Sequence, residues 1–524
     1  MLQAASESND RINELPDCIL LSILSLLTLK DAVTTSMLCR RWRNLWKDLW
    51  LTKRNLEFDI PNIFGSQYAQ LIDIHEEDYR YYDYPGLKRF ERQQFVSCVN
   101  SLLGLYLGNK VDSFKVAFFL DGESTKDLDN WVRFAITKGA QVLHLHLRGG
   151  IETVYHFPYW ILTESDSSVL KHLSLEKCAL SPSPKYFDRF NELKTLWLDN
   201  VTINTIFMAH LFSVCVTLES LTLKSCSMGS TLVVAGEHPG DQSLRLQELK
   251  LLQCYELEQV AISAVNLTSL EFEGNFLRIY YFDTPRLESV FLCARAKFIL
   301  PRELTIFASF PELETLNLSL WHGVALLRNI PTFANLRVLD LDSWVFDIRS
   351  LVKLLMAVPL LEELVLTVYA SHLQRKMRNL SGFSHDHLKN VKFQRFHSNS
   401  HMIELAICIL EIATKLETMV IYPLGKLYVG GGVWREVYRN ENEDEYSDEE
   451  EDMYEDYDGV EDTDDSEDED EDEEEDEDDN NDEDGEKSNS SWEDRGRKIV
   501  QEKLNEVMSG ARIIINSIMV DRRS

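Results

Sequence analysis

The stretch LKHLSLEKC, residues 170–178, has the form L-x-x-L-x-L-x-x-C, which recurs in LESLTLKSC at 218–226 and LQELKLLQC at 246–254. Two leucines separated by one residue point to the same side of a β-strand. Each stretch therefore predicts a short strand with one buried face. Such strands bury that face by stacking in parallel, so that each turn of the chain covers the one before it.

Looser copies of this phrase extend along the chain and begin at Val142, Leu193, Leu267, Leu287, Leu313, Leu336, Leu361, Leu388 and Leu416, with a weaker copy at Val111, Phe114 and Val116. Successive starts from Val142 onward lie 20 to 28 residues apart, which matches the period of leucine-rich repeats, about 20–29 residues. We therefore predict an α/β fold, a curved solenoid with its parallel sheet on the concave side. Between strands the chain should return on the convex side, often as a helix, as the apolar spacing of 347–358 indicates.

The x positions of the strands face the concave side and form a candidate surface for a protein substrate. They carry eight acidic residues and three lysines, which predicts a mildly acidic face. Trp197 and Phe291 are expected to be exposed anchors, because aromatic residues are frequent hot spots. The alternative, in which convex loops or a neighbouring repeat cover these rings, stays open. The candidate substrate-binding residues are Trp197, Phe291, Glu248, Glu271 and Asp340.

Residues 10–50, DRINELPDCILLSILSLLTLKDAVTTSMLCRRWRNLWKDLW, are apolar, helical in spacing and rich in tryptophan. Pro16 suits the start of a first helix, and Thr28 with Asp31 fits a capping box that starts a second. Domains below about 40 residues usually need staples or a partner, so we predict a docking module. The alternative is a helical cap on the repeats.

This segment resembles an F-box, particularly the plant type, in Leu15-Pro16-Asp17, Lys30-Asp31-Ala32-Val33 and Cys39-Arg40-Arg41-Trp42. The resemblance implies binding to a Skp-type adaptor and, through it, to the cullin of an SCF ubiquitin ligase. Carried over residue by residue, the adaptor-binding set, which would face the adaptor or form the module core, is Leu15, Pro16, Ile19, Leu20, Leu24, Val33 and Trp42. Cys39 replaces the serine common in plant members, and Thr28 stands where proline is frequent; neither change removes an apolar anchor.

Residues 388–423 repeat the strand–helix–strand pattern and resemble the FBD region that follows F-box and leucine-rich repeats in many plant proteins. We expect a helix at 495–507 and a strand at 511–515 to pack back onto the array, because the apolar run 513–515 would be costly to leave in water. The expected organisation is an F-box at 10–50, a linker or N-terminal cap at 51–110, repeats at 111–387, an FBD-like terminal repeat at 388–440, an acidic disordered segment at 441–487, and the FBD-like helix and strand at 488–524.

The acidity of the chain is concentrated in one segment. Residues 441–486 contain 33 Asp and Glu and no Lys or Arg, which leaves 54 acidic and 53 basic residues elsewhere, a net charge of −1 against −34 for the whole chain. Such a segment repels itself and is expected to be disordered. Sharper alternatives are a binding site for basic proteins, a shield for the inner face, or a phosphorylation site at Ser447 or Ser466. The near-neutral body argues against nucleic-acid binding, which usually needs a basic face.

Motifs for catalysis, metal binding and membrane insertion are not found. The nine cysteines form no C-x-x-C pair, no Walker or G-x-S-x-G motif is present, and no apolar run approaches the span of a bilayer, about 18 residues. His144 and His146 are interpreted as outward-facing surface histidines. We expect a non-catalytic receptor subunit in the nucleus or cytoplasm, without cofactor, nucleic acid or membrane. The alternative is a scaffold or acidic chaperone for basic proteins outside ubiquitination.

Overall fold

The computed structural model describes residues 11–65, 85–148, 153–164, 170–235, 243–274, 278–294, 301–320, 330–343, 348–368, 383–396, 400–423, 425–430, 433–437, 497–505 and 510–516. The chain divides into two compact units, 1–337 and 338–524. The predicted acidic segment 441–487 lies outside the described residues.

The first unit begins with three short helices, α1 (Asp17–Leu26), α2 (Leu29–Thr35) and α3 (Arg40–Thr52), which we call the helical module. The capping box predicted for α2 is confirmed: the Thr28 hydroxyl accepts a hydrogen bond from the Asp31 backbone N–H and donates one to its carboxylate, at 3.2 and 2.8 Å. Pro16 occupies the N-cap of α1, one position earlier than predicted. These caps set where the apolar faces of α1 and α2 begin.

The helical module packs around an apolar core of its own. Its buried residues are Leu20, Leu24, Leu29, Ala32, Trp42, Leu45, Trp46 and Trp50. The rings of Trp46 and Trp50 stack with centroids 5.5 Å apart. Each such side chain contributes roughly 1.5–3 kcal/mol when buried, so tryptophan lets a small module form a substantial core.

The strands of the first unit are β1 (Asn55–Phe58), β2 (Ser113–Phe118), β3 (Val142–Leu147), β4 (Tyr155–His156), β5 (His172–Glu176), β6 (Cys178–Leu180), β7 (Thr195–Asp199), β8 (Thr202–Ile203), β9 (Ser220–Lys224), β10 (Thr231–Ala235), β11 (Glu248–Leu252), β12 (Gln259–Ser263), β13 (Ser269–Gly274), β14 (Arg278–Asp283), β15 (Ser289–Ala294) and β16 (Thr315–Leu320). Its main sheet has the parallel order β1-β2-β3-β5-β7-β9-β11-β13-β15-β16. The strands predicted from the leucine phrase are confirmed, including the weaker copy that forms β2. Strand β1 was not predicted.

The return segments are more varied than the sequence indicated. Helices α4 (Ile60–Phe64), α5 (Pro85–Gly104), α6 (Thr125–Thr137), α7 (Thr205–Val214) and α8 (Pro301–Ala308) provide some of them. Elsewhere short strands pair into two further sheets, β4-β6-β8 and β10-β12-β14. A return path that is itself a strand satisfies its backbone groups from the neighbouring repeats.

A left-handed residue turns the chain at the end of several repeat phrases. Lys177, Asn200, Ser225 and Gln253 have φ of 50–53°, and the first, third and fourth directly precede the cysteine of a phrase. Those cysteines are buried, and the Cys226 thiol donates to the carbonyl of Leu198 at 3.4 Å. The cysteines therefore serve as core residues at the turn.

The second unit continues the same construction with β17 (Val338–Ser343), β18 (Glu363–Val368), β19 (Asn390–Gln394), β20 (Thr418–Ile421), β21 (Gly425–Gly430), β22 (Val433–Val437) and β23 (Arg512–Ile515), and with α9 (Ile348–Ala357), α10 (Ser400–Ile412) and α11 (Arg497–Asn505). Its parallel order is β17-β18-β19-β20-β23, while β21 and β22 form an antiparallel pair. The helix predicted at 347–358 is confirmed as α9.

The C-terminal elements close the sheet of the second unit. Strand β23 pairs in parallel with β20, so that Ile513 lies opposite Met419 and Ile515 opposite Ile421. Helix α11 packs against α10 and buries Val500 completely. The expectation that this end of the chain returns to the array is confirmed. Its apolar strand covers an edge that would otherwise present unpaired backbone groups.

Candidate functional site

The helical module presents apolar side chains to solvent on α1, α2 and the turn after α2. Ile19, Ile23, Leu26, Val33, Met37 and Leu38 are 46, 37, 86, 36, 78 and 69% exposed. Apolar residues exposed together are typical of an interaction surface. We call these six residues the docking set.

The residues predicted to bind an adaptor separate into two groups. Ile19, Val33 and Pro16 are exposed and Leu15 is half-buried. The other three, Leu20, Leu24 and Trp42, are only 0, 1 and 6% exposed. These three take the module-core option of the prediction, because they face the inside of the module, where α1 and α3 pack together. The other four residues of the docking set, Ile23, Leu26, Met37 and Leu38, were not in the predicted set, which held only positions carried over from the family.

An ion pair fixes the start of α3 against the start of α1. Arg41 donates from Nε and Nη2 to Asp17 Oδ1 at 2.8 and 2.6 Å, and from Nη2 to the Leu15 carbonyl at 2.6 Å. Such an exposed pair contributes only about 0–1 kcal/mol. Its effect is geometric, since it holds the exposed residues of α1 in one orientation.

The second surface is the polar face of the main sheet in the first unit, formed by side chains that alternate with the core leucines. Its central row, in register across strands β2 to β15, is Lys115, His144, Ser174, Trp197, Thr222, Lys250, Glu271 and Phe291. The first and last members of this row, Lys115 and Phe291, are 176 positions apart in sequence.

Much of the acidity predicted for this face is already neutralised by lysines. Lys250 Nζ lies 2.9 Å from Glu248 and 3.5 Å from Glu271, and Lys224 Nζ lies 3.1 Å from Asp199. Burial alone would raise the pKa of Glu248, but hydrogen bonds from Lys250 and Ser220 hold it below its usual value. Glu248 is therefore charged and already engaged.

The five predicted substrate-binding residues differ in how far they are exposed. Trp197 is half-buried on the polar face, as is Glu248. Phe291 and Glu271 are only 8 and 5% exposed. The prediction of Phe291 as an exposed anchor is wrong, and Glu271 presents little of its side chain to a substrate. They are direct neighbours across β13 and β15, and side chains in register on adjacent strands cover one another. For Phe291 the open alternative of a covered ring is correct.

Asp340 belongs to the second unit. Burial, followed by the nearby charge of Asp342, raises the pKa of Asp340 to about 7. Its carboxyl is thus partly protonated near neutral pH, which makes it a poor fixed negative charge for a basic substrate.

A cluster of imidazoles beside Trp197 was not predicted as a site. His144 and His146 do face the polar side, but both are half-buried, and their rings stack with centroids 5.7 Å apart. The His146 ring lies 5.2 Å from that of Trp197, and its Nε2 is hydrogen-bonded to Ser174 Oγ at 2.7 Å. Burial, followed by His144 and Lys115, lowers the pKa of His146 to about 4. The imidazole is neutral at physiological pH and extends the aromatic surface of Trp197.

The described ranges hold neither a cluster of metal ligands nor a membrane-spanning helix. Within them, His, Cys, Asp and Glu side chains do not gather in groups of three or more that could hold a metal ion. Among the helices described, none combines the length and apolar character needed to cross a bilayer.

Comparison with known families decides what these two surfaces belong to. A family model described as the At1g61320/AtMIF1 LRR domain matches residues 104–427, more than half of the chain. The chain belongs to this leucine-rich-repeat family. An F-box domain model matches residues 12–54, which include the helical module. This F-box/leucine-rich-repeat protein therefore carries a recognised module at each surface, and neither model describes a catalytic domain.

Relatives of this F-box/leucine-rich-repeat protein come from Arabidopsis thaliana. The F-box/LRR-repeat protein At3g03360 is 28% identical over 50% of this chain and 47% of its own, and the F-box/FBD/LRR-repeat protein At1g13570 is 26% identical over 54% of each. The chain thus spans about half the length of these relatives. A solved internalin of Listeria monocytogenes covers 56% of this chain and 76% of its own, at 14% identity and a TM-score of 0.27.

Proposed function

We propose that this chain is the substrate-recognition subunit of an SCF-type ubiquitin ligase. F-box domains generally bind Skp-type adaptors. In the proposed assembly the helical module docks the adaptor, which links to a cullin, and the polar face of the repeats binds a protein substrate. The observation that carries the proposal is the docking set, six apolar residues left in water by a module whose own core is already filled.

The energetics favour a partner for this surface. Leu26, Met37 and Leu38 are each more than two-thirds exposed, and burying apolar surface contributes about 25 cal/mol per Å². Because Leu20, Leu24 and Trp42 already fill the interior, folding does not account for the exposed residues. Burial of these side chains against a second polypeptide would supply the hydrophobic stabilisation that they lack in water.

In this role the chain contributes proximity and orientation. Holding a substrate close to an activated ubiquitin converts an encounter between separate molecules into a step within one complex. The residues required are those that bind the adaptor and the substrate, and the bond-forming chemistry belongs to the other subunits.

Capture of a purified Skp-type adaptor by the full chain tests the proposal. The double variant Met37→Asp with Leu38→Asp should weaken binding by at least about 30-fold, because charge in a buried interface centre costs 2 kcal/mol or more. The matched control is Ile206→Asp with Val233→Asp, which replaces residues 55 and 48% exposed outside the module. Full adaptor binding by the first variant, or equal loss in the control, would contradict the proposal.

The scaffold alternative makes a different prediction. If the chain acts by holding basic proteins on residues 441–487, capture of those proteins should vanish at modest salt and on deletion of 441–486. It should also be unaffected by Met37→Asp with Leu38→Asp. Ubiquitination of a bound protein in a reconstituted ligase, lost in that double variant, would instead support the receptor role.

A further inference from the structure

Glu176 is a half-buried carboxylate on the polar face that no described residue pairs with by a hydrogen bond or ion pair. Lys224, which is close enough to favour its charge, is engaged with Asp199 at 3.1 Å. Burial chiefly, and the charge of Asp199, act to raise the pKa of Glu176, while Arg148 and Lys177 oppose them. A carboxylate removed from water without a partner is costly, and a cation would relieve that cost.

An aromatic ring lies on the neighbouring strand. Ser174 and Glu176 of β5 are in register with Trp197 and Asp199 of β7, so the indole and the unpaired carboxylate occupy adjoining rows. Among the described residues, no acceptor takes a hydrogen bond from the Trp197 indole N–H. The ring is half-buried and backed by His146 at 5.2 Å, which holds it in one place while leaving part of it open.

Arg148, Lys177 and Lys224 are the cations that act on the Glu176 carboxylate; the other basic groups around this ring carry little competing positive charge. Lys115 is paired with Glu57 at 2.5 Å. The pKa values of His144, His146 and His172 are all lowered, in each case chiefly by burial. These imidazoles are therefore neutral near pH 7 and do not repel a cation.

We propose that Trp197 and Glu176 together bind an arginine side chain of the protein substrate. The guanidinium would lie over the indole and pair with the carboxylate, and the indole N–H would donate to a peptide carbonyl. Arginine fits better than lysine because its planar, weakly hydrated head both stacks on aromatic faces and forms a directed pair with a carboxylate. This inference rests on the proposed function and assigns the substrate class, a segment of protein bearing an exposed arginine.

Fluorine NMR of the full chain labelled with 5-fluorotryptophan tests this inference at the residue concerned. The chain has ten tryptophans, and the resonance that disappears in Trp197→Phe is that of Trp197. The probes are acetyl-Gly-Arg-Gly-amide, its isosteric neutral citrulline analogue, and the corresponding glutamate peptide. The arginine probe should shift the Trp197 resonance saturably, and the citrulline and glutamate probes should not.

Two charge-removing variants should change the affinity in opposite directions. Glu176→Gln should weaken the arginine probe about tenfold, the usual size of a charge-assisted hydrogen bond. Lys224→Gln should tighten it several-fold, because it releases the Asp199 carboxylate beside the site. Damage to the fold would weaken binding of the probe in either variant. Tighter binding by Lys224→Gln therefore shows an effect on recognition and not on stability. Any binding of the arginine probe to the acidic tract 441–486 is a constant background, because neither variant changes a residue of that tract.

Three results would overturn the inference: an unmoved Trp197 resonance, an equal shift with the citrulline probe, or unchanged affinity in Glu176→Gln. Adaptor capture is measured on the same variants. If the arginine probe fails while the adaptor still binds, the substrate class is wrong and the receptor role stands. If adaptor capture fails while the probe binds, the receptor role is wrong and the arginine site stands.

Discussion

The indole N–H of Trp50 donates a hydrogen bond of 3.1 Å to the backbone carbonyl of Leu102. Trp50 is in the last helix of the F-box and Leu102 is in α5, next to the first repeats. The Tyr106 and Trp50 rings meet edge to face with centroids 5.7 Å apart, and the single hydroxyl proton of Tyr106 is shared between the carbonyls of Lys53 and Lys110, at 2.7 and 2.9 Å. The helical module is thus hydrogen-bonded to the segment that leads into the repeats, in addition to being connected to it by the chain.

Replacing Trp50 should loosen this connection. Trp50 is 3% exposed, so Trp50→Ala should lower the free energy of unfolding by about 3–5 kcal/mol. Urea unfolding of the full chain measures this loss, and amide exchange in 40–52 and 98–106 should accelerate. Lys47→Ala, an exposed change on the same helix, should stay within about 0.5 kcal/mol. A loss below about 1 kcal/mol in Trp50→Ala would mean that the contact contributes little.

The left-handed turns offer a test of the repeat geometry. Lys177 is exposed and has φ of 52°, a conformation that costs a residue with a Cβ about 1–2 kcal/mol. Lys177→Gly should therefore match or exceed the wild-type stability, the relief slightly outweighing the entropy that glycine loses. Lys177→Val should destabilise by about 1–3 kcal/mol, since a β-branched residue tolerates this region poorly. Thermal unfolding of both variants checks the order, and a more stable valine variant would refute it.

The positions of the strands could be predicted because the leucine phrase encodes a local pattern. Leu173 and Leu175 are both essentially buried, and two alternate apolar residues are enough to orient a strand. Strand β1, Asn55–Phe58, carries the same alternation but lacks the rest of the phrase, so nothing marked it as a repeat. The paired returns such as β10 and β12 depend on contacts with neighbouring turns, which local sequence does not contain.

Exposure of individual side chains could not be predicted in the same way. The apolar spacing of α1 identifies Ile19, Leu20, Ile23 and Leu24 as one stripe, yet Leu20 and Leu24 are buried and Ile19 and Ile23 are not. The direction from which α3 packs decides between them. Glu271 is likewise covered through a neighbour on the next strand, whereas Trp197, in the same row, stays partly open. The partners that settle these outcomes are 20 or more positions away in sequence.

His146 should make stability depend on pH in the acid range. Its folded pKa of about 4 lies below the unfolded value of 6.5, so between these limits the unfolded chain binds more protons. The contribution of the neutral His146 ring to the stability of the folded chain is complete above about pH 6.5 and is lost as the pH falls towards about 4. The stability of wild type relative to His146→Gln should therefore decrease over this range, by on the order of 1 kcal/mol. Urea unfolding at pH 7 and 4.5 measures this change, and the variant of the exposed His156, His156→Gln, is the control. A difference between wild type and His146→Gln that stays constant with pH would argue against the burial of a neutral His146 ring.

Asp340 should show the opposite dependence. Its folded pKa of about 7 lies above the ordinary value of 3.8, first because the carboxyl is buried and then because Asp342 is near. The folded state holds the proton more tightly, so the stabilisation is present at low pH and is lost as the pH rises from about 4 to about 7. Asp340→Asn imitates the protonated form, and its stability relative to wild type should increase across this window. Thermal unfolding at pH 4.5 and 8 tests the trend, with the exposed Glu404→Gln as a variant expected to show none. A result in which Asp340→Asn is less stable relative to wild type at pH 8 than at pH 4.5 would contradict this prediction. It would mean that the carboxylate makes a favourable charged contact, and Asp340 would again be a candidate substrate-binding acid.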